Sequence, residues 1–102
     1  MAEVQFQDES QFQDMVVALC KHLGIACYHP YFSRKSAAGW PDLALCGSRG
    51  FILRELKTDK GRLTRQQQEW GVRLRNVDVS WDVWRPDDLA SGRIQRELLA
   101  IK

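Results

Sequence analysis

The sequence lacks most of the features that would assign a chain to a class at once. The net charge of its 102 residues is only +2 at pH 7, too small to argue for a polyanionic partner by itself. Cys20, Cys27 and Cys46 are odd in number and show no CxxC spacing, so a disulfide framework is not expected. Zinc held by Cys20, His22, Cys27 and His29 would have no standard ligand spacing behind it. Their neighbours Leu19, Ala26 and Leu45 are apolar, and the three cysteines read as reduced core residues of a cytoplasmic protein. The N-terminus is acidic and polar, unlike a signal peptide, and no apolar run approaches membrane-spanning length. No membrane partner is therefore expected. There is no internal repeat, low-complexity tract or linker, and the length leaves no room for a second core, so residues 1–102 read as one domain.

What is present is apolar residues at 44% and aromatics at 10%, enough for a packed core, with a heavy load of four Trp. Core, dimer interface or base stacking could each absorb them. The charge is unevenly spread. Between Ser33 and Arg65, Arg34, Lys35, Arg49, Arg54, Lys57, Lys60, Arg62 and Arg65 face only Asp42, Glu55 and Asp59. That segment is net +5 and the remainder net −3, which suits a polyanion on one part of the surface but also fits a chance excess on a solvated face.

Periodicity supplies the elements. Met1 to Gln7 read as a loose lead-in. A helix is expected from Asp8 or Ser10, since Asp8 with Gln11 and Ser10 with Gln13 both fit a capping box. Phe12, Val16, Leu19 and Leu23 form its apolar stripe, and Gly24 stands at its C-terminal end. Strands are expected over Ile25–Tyr28, Pro41–Cys46, Phe51–Thr58 and Val79–Trp84. Ser33 to Gly39 is a polar loop, and 41–58 is a hairpin turning at Gly47–Gly50. Thr64 starts a helix reaching about Asn76, with Leu63, Gln67, Trp70, Leu74 and Val77 on one stripe. Pro86-Asp-Asp opens a last helix, interrupted at Ser91-Gly92, with Ile94, Leu98 and Ile101 on one face. The order αβββαβα predicts an α/β domain, a small mixed sheet flanked by helices.

The chemistry concentrates in Gly39-Trp40-Pro41-Asp42 and Arg54-Glu55-Leu56-Lys57. Alternate residues of a strand share a face, so Glu55 and Lys57 point the same way, and the hairpin brings Asp42 near one of them. Two carboxylates and an ammonium in one place suit phosphodiester hydrolysis. Hard oxygen ligands hold Mg²⁺ or Mn²⁺, which polarises the phosphate and activates a water, while the lysine orients that water or neutralises developing charge. An ordinary cross-strand salt bridge is the simpler alternative. It explains less well why the two residues share one face of an otherwise apolar strand. Gln67, the one polar residue on its stripe, either caps its own helix with Thr64 or reaches the reacting centre. Glu9 either favours the first helix's dipole or reaches the sheet from the apolar stripe.

Gly39-Trp-Pro-Asp42, the thirteen-residue step to Glu55-Leu-Lys57, then Gly61-Arg-Leu-Thr64 and Gln67 with Trp70 resemble the VRR-NUC branch of the PD-(D/E)XK nuclease superfamily. The resemblance runs from Glu9 to about Leu89. It implies a restriction-endonuclease-like core, with Asp42, Glu55 and the Leu56 carbonyl as metal ligands and Lys57 as the catalytic lysine. It also implies that Gln67 belongs to the active site and that Glu9 is the acidic residue of the first helix, with Glu3 and Asp8 nearby. Arg65 stands where the family often has Pro, a helix-start preference. Stand-alone relatives are typically phage-encoded and resemble homodimeric Holliday junction resolvases. The expected function is thus a metal-dependent, structure-specific DNA endonuclease, a homodimer acting on branched DNA, with Arg34, Lys35, Lys60, Arg62 and Arg65 on the phosphates. The alternatives are a non-catalytic DNA-binding module of the same fold, a flap- or end-processing nuclease, and an RNA-cleaving enzyme.

Overall fold

The computed structural model describes residues 8–30 and 37–102. Met1–Gln7, Arg34 and Lys35 therefore lie outside the described residues, as does most of the expected 33–39 loop. The elements are α1 (Glu9–Leu23), β1 (Ala26–Tyr28), β2 (Leu43–Cys46), β3 (Phe51–Leu56), α2 (Arg65–Asn76), β4 (Ser80–Trp84), α3 (Pro86–Ala90) and α4 (Arg93–Ile101). The expected last helix is split into α3 and α4 at Ser91-Gly92. Pro41 and Asp42 precede β2, and Lys57 and Thr58 follow β3, so both strands of the hairpin are shorter than their sequence suggests.

The four strands form one mixed sheet in the order β1-β2-β3-β4. β1 and β2, and β2 and β3, are antiparallel; β3 and β4 are parallel, joined through α2. One face carries the core. Phe12, Val16 and Cys20 of α1, spaced one helical step apart, pack with Ile94, Leu98 and Ile101 of α4 onto Leu43, Leu45, Ile52 and Leu56. Burying each such side chain is worth about 1.5–3 kcal/mol. Asp8 caps α1, its Oδ1 accepting from the Gln11 N–H at 2.9 Å, and Gly24 closes the helix.

The other face is covered in part by α2, whose only buried residue is Gly71. A Cβ at Gly71 would fall 2.6 Å from the Trp81 ring, so the glycine lets this helix lie directly on β4. Central β3 is consequently buried on both sides. Val77, expected on the inward stripe of α2, is 69% exposed, because the helix ends there and the chain reverses at Asp78 with φ 63°.

Two further expectations are corrected. Cys20 is buried and Cys27 half-buried, but Cys46 is exposed, since Leu43 and Leu45 take the core-facing positions of β2. Arg54, counted in the basic segment, is buried on the core side of β3. Its guanidinium pairs with Glu97 at 2.7 Å, donates to the carbonyls of Leu53 and Ser80, and lies 5.3 Å over the Trp84 ring. Glu97 also accepts from Trp84 Nε1 and from Arg93, which pairs in turn with Asp82 and Asp88. Arg54 is thus spent on a satisfied internal network and offers nothing to solvent. The Trp residues are also accounted for: Trp81 and Trp84 are buried, and Trp40 and Trp70 meet edge to face at 4.9 Å. Among the described residues no helix is long and apolar enough to cross a membrane.

Candidate active site

Asp42 comes to the site through the hairpin register. Leu43 pairs with Arg54, so the preceding residue falls opposite Glu55. Asp42 Oδ2 accepts from the Leu56 N–H at 2.7 Å, which ties the carboxylate to the end of β3. The loop before it is fixed against α2. Trp70 Nε1 donates to the Ala38 carbonyl at 3.1 Å, and Trp40 rests on the Trp70 ring. Gly39 has φ 84°, and a Cβ there would lie 2.4 Å from the Gln66 carbonyl carbon. Gly39→Ala combines a disfavoured backbone with a backbone clash. It is expected to cost about 2 kcal/mol or more in a thermal melt. Because Asp42 moves with the loop, its carboxyl should be displaced from the end of β3. Wild-type stability in this variant would show that the loop is not tied to α2 in this way.

Glu55 is 1% exposed. Its Oε1 accepts from Gln67 Nε2 at 3.0 Å, while its Oε2 is buried and meets no donor. Burial pushes its pKa up to about 10; the hydrogen bond and charge of the neighbouring Asp42 carboxyl add to the rise, Glu9 adds a little, and Lys57 opposes it. The orphaned oxygen and the raised pKa have one cause. As a carboxylate, Oε2 meets no donor; as an acid, Glu55 can donate toward Asp42.

Gln67 fulfils both of its sequence readings. Its Oε1 accepts from the Thr64 N–H at 2.9 Å and its N–H donates to Thr64 Oγ1 at 3.1 Å, completing the capping box. The other end of the same amide holds Glu55. The cap fixes the rotamer, and the fixed rotamer aims Nε2.

Lys57, just beyond β3, is buried to 8% exposure, and its N–H donates to the Trp84 carbonyl at 3.0 Å. Its ammonium lies 3.7 Å from Glu9 Oε1, so Glu9 reaches the end of the sheet from the first turn of α1. Asp42, Glu55, Lys57, Gln67 and Glu9 are therefore brought together where β3 ends.

The expected phosphate contacts are placed less uniformly. Lys60 and Arg62 are exposed on the turn after β3, next to the site in sequence. Arg65 is exposed at the start of α2 but pairs with Glu69 at 3.1 Å. Arg49 lies in the β2–β3 turn, at the other end of β3. Sequence reasoning missed Arg85. Its guanidinium donates to the carbonyls of Thr58 and Gly61, bracing the turn that carries Lys60. Those partners are 27 and 24 residues away, and no local pattern signals them.

Among the described residues no group of three or more His, Cys, Asp or Glu side chains is disposed to hold a metal. The site instead offers the Asp42 and Glu55 carboxyl groups. That set fits Mg²⁺, which keeps several waters and is commonly held through one or two carboxylates. The buried Glu55 Oε2, which meets no donor, is the observation that supports the fit, since a cation would displace the proton that burial keeps on this carboxyl and satisfy that oxygen. No family model, curated protein or solved structure matches the chain.

Proposed function

We propose that this chain is a metal-dependent nuclease of the PD-(D/E)XK type with a restriction-endonuclease-like core, hydrolysing phosphodiester bonds in DNA. The observation that carries the reading is the buried Glu55 carboxyl. It is held by Gln67 on one oxygen and left without a donor on the other, at a strand end shared with Asp42 and Lys57. A structural ion pair would satisfy both oxygens; a ligand would leave one of them available.

Asp42, Glu55 and the Leu56 carbonyl would hold Mg²⁺ or Mn²⁺, which supplies an activated water and polarises the phosphate. Gln67 orients Glu55. Lys57, screened from bulk water, stabilises charge developing on phosphate oxygens, and Glu9 holds its ammonium in place. Lys60 and Arg62 meet the substrate backbone as it approaches. A working place in the cytoplasm accords with this reading.

Cleavage of plasmid DNA is expected with Mg²⁺ or Mn²⁺ and should vanish on adding EDTA, since the side chains alone offer no route to an activated water at neutral pH. Full activity in EDTA would overturn the mechanism. The finer reading is a two-fold dimer that cuts opposing strands of a four-way junction. It rests on the resemblance to stand-alone resolvases and on exposed Met15 and Leu99 of the adjoining helices α1 and α4. Sedimentation and cut mapping on a labelled junction test it; a monomer nicking junctions at scattered positions would contradict it.

A further inference from the structure

Trp40, two residues before Asp42, is 38% exposed, so part of its ring faces solvent beside the candidate site. It is also held rigidly. Its ring meets Trp70 edge to face at 4.9 Å, and the Trp70 indole N–H is spent on the same loop, at Ala38. Arg73 lies 5.9 Å over Trp70, and Arg73 and Arg65 are both exposed on the outer face of α2, together with Glu69 and Val72. An exposed aromatic face thus adjoins, through Trp70, a helix face carrying two guanidinium groups. Rigid aromatics beside a basic track are how polynucleotides are held without reading sequence: bases stack and phosphates meet cations. A duplex, whose bases are already stacked, has no use for the ring.

We propose that this strip binds an unpaired stretch of nucleic acid, with a base stacked on Trp40 and its phosphates on Arg65 and Arg73. The inference rests on the reading that the chain acts on nucleic acid and names the local structure it selects, an unpaired segment beside the cut in preference to a fully paired junction. Glu69, paired with Arg65 at 3.1 Å, is a built-in brake, because it competes with phosphate for that guanidinium.

The test is fluorescence anisotropy in EDTA, so that binding is read without cleavage, with labelled oligothymidine and a mixed-sequence duplex of equal length over a range of salt. Circular dichroism checks that each variant is folded. Trp40→Ala and the bulk-preserving Trp40→Leu should lose roughly tenfold in affinity for the single strand and less than twofold for the duplex, while Trp40→Phe stays near wild type. Arg65→Ala with Arg73→Ala should weaken both and reduce the salt slope by about two. Glu69→Gln should tighten binding. Equal losses on the two probes in Trp40→Leu, or an unchanged salt slope in the double variant, would overturn the proposal. If these results hold and no cleavage occurs with Mg²⁺, the nuclease reading fails and the binding strip stands. If cleavage is robust and indifferent to Trp40, Arg65 and Arg73, the reverse is true.

Discussion

In metal-free buffer at pH 7, Glu55→Gln is expected to melt several degrees above wild type and, with Mg²⁺ added, to cleave DNA at least 100-fold more slowly. The two effects share one origin. Glu55 is buried beside the Asp42 carboxyl, and its pKa is raised from the ordinary 4.5 to about 10. At pH 7 the folded protein therefore holds a proton that the unfolded chain has released. Each pH unit of that difference costs about 1.4 kcal/mol, so the burden at neutral pH is about 3 kcal/mol. A glutamine keeps the bond from Gln67, can donate toward Asp42, and carries no such burden. The sign follows from the raised pKa. The contribution of Glu55 to stability is fully present below about pH 4.5 and is lost progressively as pH rises toward 10. The stability advantage of the variant should accordingly widen between pH 5 and 8. Under the proposed mechanism activity falls because a neutral amide is a poor ligand for a hard cation. Thermal melts across that pH range, with and without metal, report both halves. A variant less stable than wild type at pH 8 would show that the buried carboxyl is not strained.

Lys57→Ala is expected to reduce cleavage by about 100-fold or more while leaving Mn²⁺ affinity nearly unchanged by calorimetry. Asp42→Ala should weaken the metal as well as the rate, because in the proposed site it removes a ligand. The contrast separates a group acting on the substrate from groups holding the cation. Lys57 is 8% exposed and its stem packs inside, so Lys57→Met, which keeps the stem, guards against a loss that is merely structural. A Lys57→Met protein that cut DNA at the wild-type rate would end the nuclease assignment.

The elements of the fold were readable because each carries its own local instruction. Asp8 and Gly24 bracket α1, Thr64 opens α2, and the alternation of Val79, Trp81 and Val83 with Ser80 and Asp82 in sequence marks β4. The site was partly legible for the same reason: strand pleat puts Glu55 and Lys57 on one side, and the hairpin returns Asp42 to them. Where sequence reasoning went astray, a long-range partner decided. Arg54 belongs to the basic segment by position, yet Glu97, 43 residues later, draws it into the interior. Cys46 has apolar neighbours, but Leu43 and Leu45 claim the core-facing positions.

The sequence by itself determined the order of elements, the hairpin and the approach of Asp42 to Glu55, since capping, turn formation and strand alternation act over a few residues. Only the tertiary structure decided three further matters. It made Gln67 serve cap and carboxylate together, through the approach of α2 to β3. It set Glu9 beside Lys57, by laying the start of α1 against the end of the sheet. It left Glu55 Oε2 buried without a donor. Each depends on where a side chain from one element ends relative to another distant in sequence. That distance is fixed by core packing, to which the residues between contribute jointly and which no local pattern records.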